Sequence, residues 1–150
     1  MATAKIVYAT ITGNNEDIAS IIADTLEERG LEVSMTEISQ ADVSDFEDAD
    51  ICIVCSYTYD EGSLPDEGLD FFEDLQEADL SGKIYGVAGS GDDFYGEYYG
   101  MAVDKFDQAF AQAKATKGAA NVKINLAPDS PEDIEKLENF ANELVKSAGI

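Results

Sequence analysis

Residues 7–19 read VYATITGNNEDIA. Val7 to Ala9 close an apolar run that starts near Lys5, a polar loop follows from Thr10 to Asn15, and an amphipathic stretch begins near Glu16. An apolar segment that passes through a short polar loop straight into a helical pattern is a strand–turn–helix unit. The rest of the chain repeats that unit.

KIVYA from Lys5, EVSMTEI from Glu32, ICIVCS from Ile51, KIYGVAG from Lys83 and VKINLA from Val122 read as strands. Between them Ile18, Ile21, Ile22 and Leu26 mark one helical stripe, and Leu69, Phe72 and Leu75 a second. Val103, Phe106 and Phe110 mark a third, and Ile134, Leu137, Ala141 and Leu144 a fourth. The fourth is well signed at its start, where Ser130 can cap, Pro131 suits the first helical position and Asp133 favours the positive helix end. This alternation predicts an α/β fold, a doubly wound five-stranded parallel sheet with helices on both faces. The first strand and the runs at Ile51 and Lys83 are nearly continuous in apolar residues, as central strands are, whereas VKINLA alternates and EVSMTEI alternates in part, as edges do. The strand order is then 2-1-3-4-5, and the ligand crevice lies at the carboxyl ends of strands 1 and 3. Three loops meet there: Thr10 to Asn15, Ser56 to Asp66, and Ser90 to Gly100.

The chain has 150 residues with no linker or repeat, so residues 1–150 are expected to form a single domain. Its formal net charge is -23, yet 45% of its residues are hydrophobic, which separates it from a disordered acidic tail. So negative a surface disfavours nucleic acid and anionic membranes and favours basic protein partners. Met1 leads almost directly into a strand, with no charged region followed by an apolar signal segment, and a cytoplasmic protein is the expectation. Cys52 and Cys55 have the C-x-x-C spacing, but they lie inside a strand, where odd spacing puts side chains on opposite faces. A structural role fits them better than a redox one. The absence of histidine removes the commonest metal ligand and general base, and no metal site is expected.

The loop TITGNN holds no lysine or arginine, yet it has the parts of an anion site. Backbone N–H groups at a helix start, the hydroxyls of Thr10 and Thr12 and the amides of Asn14 and Asn15 can surround a phosphate without a cation, and Gly13 lets the backbone come close. An ordinary capped turn has the same composition. The spacing and the lysine of a P-loop are absent. The second loop, SYTYDEGSLPDEG, carries two tyrosines among acids, as a covering lid or a stacking platform would. The third, GSGDDFYGEYYG, adds Tyr95, Tyr98 and Tyr99. Two aromatic loops beside one phosphate-like loop suit a planar aromatic ligand that bears a phosphate.

These loops resemble those of the short-chain flavodoxins of the low-G+C Gram-positive type, over essentially the whole chain. The family's phosphate loop, Ser/Thr-x-Thr-Gly-x-Thr, corresponds to Thr10, Ile11, Thr12, Gly13, Asn14 and Asn15. Its second loop, Thr-Trp/Tyr-Gly-x-Gly, corresponds to Thr58, Tyr59, Asp60, Glu61 and Gly62, following Ser56. Its third corresponds to Gly89, Ser90, Gly91 and Asp92, with Tyr95 or Tyr98 as the stacking ring. The last strand reads straight through from Val122 to Leu126 without the insertion of longer relatives. What the resemblance implies is noncovalent FMN and low-potential one-electron transfer between redox proteins, with no substrate turnover of its own. The flavin would lie between Tyr59 and a third-loop tyrosine, its edge ringed by Asp60, Glu61, Asp66, Glu67, Asp92, Asp93 and Glu97. The implied partners are basic redox proteins such as a flavodoxin reductase or a 2-oxoacid oxidoreductase, met by a monomeric carrier. Two positions depart from the pattern. Asn15 stands for the last threonine, and Asp60 for a glycine whose peptide, in the family, flips toward flavin N5 on reduction.

Two other functions stay compatible with the same fold: a flavodoxin-like activator of a metalloenzyme, such as the partners of ribonucleotide reductase, and a flavin-free interaction module whose site Asn15 and Asp60 have eroded. A phosphoacceptor receiver domain is excluded, because strands 1 and 3 end in Ala9-Thr10 and Cys55-Ser56 where it needs acids.

Overall fold

The computed structural model describes residues 2–9, 13–57, 66–91 and 100–150. β1 (Thr3–Ala9) leads to α1 (Asn14–Glu28), β2 (Glu32–Glu37), β3 (Ile51–Ser56), α2 (Leu69–Glu77), β4 (Ile84–Gly91), α3 (Met101–Gln112), β5 (Thr116–Lys117), β6 (Val122–Asn125) and α4 (Pro131–Ser147). The sheet runs β2-β1-β3-β4-β5, with β6 also paired to β4, and every pairing is parallel. The order is the one the apolar patterns predict. The fifth place in the sheet differs from the expected single strand. Two short strands share it, β5 beside Ile84 and Tyr85 and β6 beside residues 88–91, with Gly118 to Asn121 between them.

Alternating strands and helices bury two separate cores, one on each face of the sheet. On one, Phe71 and Leu75 of α2 and Val103, Phe106 and Phe110 of α3 meet Val7, Cys52, Val54 and Val87. On the other, Ile18, Ile22 and Leu26 of α1 and Leu137, Phe140 and Leu144 of α4 meet Ile6, Ile53 and Cys55. Complete burial of such aliphatic and aromatic side chains contributes roughly 1.5–3 kcal/mol each. All six residues of β3 are buried, which explains why ICIVCS lacks alternation. The two cysteines fall in opposite cores, and both are free thiols. Burial pushes the Cys52 thiol up to about 12 and raises Cys55 as well, so neither is a nucleophile.

Three local details differ from the sequence pattern. α1 begins at Asn14, two residues before the first clear helical repeat. In α2 the buried residues are Phe71 and Leu75, while Leu69 is exposed because it is the first helical residue and precedes the face that meets the sheet. β6 ends at Asn125, and Leu126 leaves it with φ +61. The Ser130 cap forms as expected, its Oγ accepting from Asp133 N at 3.1 Å. Among the described residues no helix is long and apolar enough to cross a membrane.

Candidate functional site

Parallel pairing brings the carboxyl ends of β1, β3 and β4 to one side of the sheet. Ala9 lies opposite Ser56, and Cys55 opposite Ala88, so the three predicted loops leave from adjacent strands. β3 and β4 approach so closely at Gly89 that a Cβ there would lie 2.0 Å from the Ser56 carbonyl oxygen and 2.8 Å from Val103 Cγ2. Only glycine allows that approach. Ser56 is fully buried, and its hydroxyl donates to the Tyr57 carbonyl at 3.0 Å.

α1 starts beside these ends. Its N-cap is Gly13 at φ 90 and ψ -4, a left-handed conformation that costs glycine little. The Gly13 carbonyl accepts from Asp17 N at 3.0 Å, which closes the first turn, and as a glycine the N-cap has no side chain with which to cap the helix. The amides of residues 14–16 therefore emerge at the positive end of the helix dipole, where an oxyanion is the natural acceptor. Among the described residues a Cβ on Gly13 would meet nothing within 4 Å, so it is the left-handed φ of 90, not packing, that calls for glycine there. The N–H groups of residues 14–16 fit a phosphate.

Asn15, the second residue of α1, is 1% exposed. Its Nδ2 donates to Ser90 Oγ at 2.8 Å, and its Oδ1 accepts from Ser90 N at 3.1 Å. The first turn of α1 is thereby fastened to the end of β4. A second fastening spans the middle loop, where the Tyr57 hydroxyl donates to both carboxylate oxygens of Glu67 at 3.1 and 3.3 Å. Charge around the site is negative: Glu16 and Asp17 occupy the first turn of α1. Burial, then the charges of Glu16 and Glu37, with a hydrogen bond to Glu16, raise the Tyr8 phenol above its ordinary value.

Of the predicted site residues, Gly13, Asn14, Asn15, Ser56, Ser90 and Gly91 are described, and all lie at this end of the sheet. Thr10, Ile11, Thr12, Thr58, Tyr59, Asp60, Glu61, Gly62, Asp92, Tyr95 and Tyr98 lie outside the described residues. Two features escaped the sequence. The Asn15–Ser90 pair joins residues 75 positions apart, and no local pattern signals it. Tyr57 reads as a lid or stacking ring, whereas its hydroxyl ties the loop's two ends together. A tyrosine ten residues before an acid was the only hint.

Comparison with known proteins agrees with this geometry. The sequence model of the family described as Flavodoxin matches residues 6–140. Probable flavodoxin 1 of Bacillus subtilis is 40% identical over 141 residues, 94% of this chain and 89% of the relative. A solved short-chain flavodoxin associated with a non-canonical Pdu bacterial microcompartment is 60% identical with a TM-score of 0.96, covering 99% of both chains. The flavodoxin of Streptococcus pneumoniae TIGR4 is 54% identical with a TM-score of 0.93, covering 97% of this chain and 99% of its own.

Proposed function

The chain belongs to the flavodoxin family, and from that premise we propose that it is a low-potential electron carrier with noncovalently bound FMN. The observation that carries this is the start of α1: a helix end capped by a left-handed glycine and set beside the ends of β3 and β4. FMN supplies reversible one-electron chemistry when bound. By the family resemblance, amides of residues 14–16, the hydroxyls of Thr10 and Thr12 and the Asn14 amide would hold the phosphate, with Ile11 and Gly13 in the same loop. Thr58, Tyr59, Asp60, Glu61 and Gly62 of the second loop, and Gly91, Asp92 and Tyr95 or Tyr98 of the third, would hold the ring, with Ser56 and Ser90 at the strand ends.

Acidic loops around the ring oppose added negative charge. Each carboxylate about 10 Å away contributes roughly 0.4–1.7 kcal/mol for an effective dielectric between water and about 20, before screening. Several such charges make a strong reductant. They also steer the carrier to basic redox partners, a flavodoxin reductase or a 2-oxoacid oxidoreductase, in the cytoplasm. The protein works as a single monomeric domain and turns over no substrate of its own.

Purified protein should be yellow, and acid should release FMN from it. The apoprotein should bind FMN far more tightly than riboflavin, which lacks the phosphate. A colourless protein that takes up no added FMN, or equal affinity for the two flavins, would falsify the assignment.

A further inference from the structure

We propose that Asn15 is a positioning residue whose side chain couples the start of α1 to the end of β4, and that this side chain does not donate to the phosphate. The inference rests on the FMN reading above and concerns how that site is held together. By resemblance Asn15 occupies the place of a phosphate-binding threonine. Its geometry says otherwise. At 1% exposure its side-chain amide offers a ligand almost no surface, and both its oxygen and one N–H of its nitrogen are held by Ser90, itself 5% exposed. The pair crosses from the second residue of α1 to the next-to-last residue of β4. A threonine hydroxyl can donate and accept as well, but it sits on Cβ, one bond closer to the backbone than the amide atoms, and would not span the same distance to Ser90.

The physical consequence is a linkage. On the FMN reading, a phosphate alone would engage the start of α1, and a flavin without phosphate the loops after β3 and β4. Neither feels how the two ends of the site are set relative to each other. FMN spans them, so it alone gains from their being fixed in advance. Asn15 is also neutral. A carboxylate could accept both Ser90 donors, but it would place a charge beside the phosphate.

The test uses apoprotein of the wild type and of Asn15→Ala, Asn15→Thr and Ser90→Ala. FMN and riboflavin binding are measured by flavin fluorescence quenching, and inorganic phosphate binding by phosphorus NMR. Loss of two buried hydrogen bonds in Asn15→Ala should weaken FMN on the order of tenfold or more. Riboflavin alone and phosphate alone should each change by less than about twofold, since neither spans the pair. Asn15→Thr should behave like Asn15→Ala, and the Asn15→Ala, Ser90→Ala double variant should be no weaker than Asn15→Ala alone. Ser90→Ala keeps the bond from Ser90 N and should weaken FMN about fivefold, which preserves the test if Asn15→Ala fails to fold. Phosphate weakened by the same factor as FMN, or FMN binding restored by Asn15→Thr, would make Asn15 a direct ligand and overturn the proposal. An unchanged FMN affinity across the series overturns it too. If wild-type apoprotein binds no FMN, the FMN reading fails and the inference with it, a result distinct from a wild type that binds and a variant series that does not respond.

Discussion

β4 carries a polar cluster at each end, buried at one and partly exposed at the other, and the two are built from different chemistry. At its carboxyl end Ser90 meets the Asn15 amide through two neutral hydrogen bonds. At its amino end the Tyr85 hydroxyl donates to Asp107 Oδ1 at 2.5 Å, while Lys117 Nζ and Asn121 Nδ2 donate to Asp107 Oδ2 at 2.9 and 3.0 Å. The Tyr85 ring stacks on Phe110 with centroids 4.6 Å apart. The charged cluster sits where the fifth sheet position breaks into β5 and β6, and its three donors reach Asp107 from β4, from β5 and from the break itself. It seals an edge. The neutral cluster sits at the candidate ligand site, where a nearby carboxylate would repel a phosphate. Charge is used where only stability is at stake, and amides where an anion must be accepted.

The largest expected effect separates two glycines of β4. At Gly89 an added Cβ meets the Ser56 backbone, which cannot move without breaking the β3–β4 pairing, so Gly89→Ala should cost on the order of 3 kcal/mol or more. At Gly86 the nearest atoms are Phe140 Cζ at 2.6 Å and Leu144 Cδ2 at 3.0 Å, the far ends of flexible side chains. Gly86→Ala should cost about 1 kcal/mol. Urea unfolding of the two variants measures both. Equal costs would mean that the β3–β4 approach at the site end is not a rigid constraint.

Tyr85→Phe comes next. The stack on Phe110 survives, and only the hydroxyl's bond to Asp107 is lost, a cost of about 1–2 kcal/mol. FMN affinity should stay within about twofold of wild type, because the clusters lie at opposite ends of the strand and share no partner. A tenfold loss of FMN affinity in Tyr85→Phe would show that strain passes along β4, and the division between stability and binding would collapse.

What was legible in the sequence follows the same division. Runs such as ICIVCS declare a central strand because burial on both faces removes every polar residue, and the strand order follows from which runs alternate. Helix stripes are legible for the same reason, save where an end residue such as Leu69 breaks the periodicity. Leu126 looked like the next inward residue of VKINLA, yet it is 54% exposed. Its amide still bonds to Gly91 O at 2.7 Å, but its positive φ turns the chain away from the edge. Periodicity carries no signal for such a turn. Nor does it carry one for Asn15 and Ser90 or for Tyr85 and Asp107, since each pair meets only after the sheet has formed. Residue types in the loops pointed to a phosphate and a ring, but a type cannot tell a ligand from a fastening.

The smallest effect concerns charge at the amino-end cluster. Burial resists ionisation of Asp107, but the hydrogen bonds from Lys117, Tyr85 and Asn121 and the Lys117 charge together outweigh it and hold the carboxyl below its ordinary 3.8. A carboxyl with a lowered folded value contributes stability above its unfolded value, and that contribution is lost as pH falls below 3.8 through the folded value. Lys117→Met keeps the aliphatic stem and removes the charge. Because the Lys117 side chain is 42% exposed, solvent screens the pair, and the variant should lose only about 0.2–1 kcal/mol at pH 7. The loss should shrink in high salt and vanish in acid, where Asp107 is protonated in both proteins. Unfolding free energies measured from pH 7 down to pH 2 read this directly. A cost that persists at pH 2 would assign the effect to packing of the stem. The carboxyl-end cluster has no group to titrate, so the factor by which Asn15→Ala weakens FMN should stay constant between pH 5 and 8. A factor that varies across that range would mean the neutral cluster is coupled to a group that titrates there, the first candidate being the ligand's own phosphate monoester, whose second proton leaves near pH ~6.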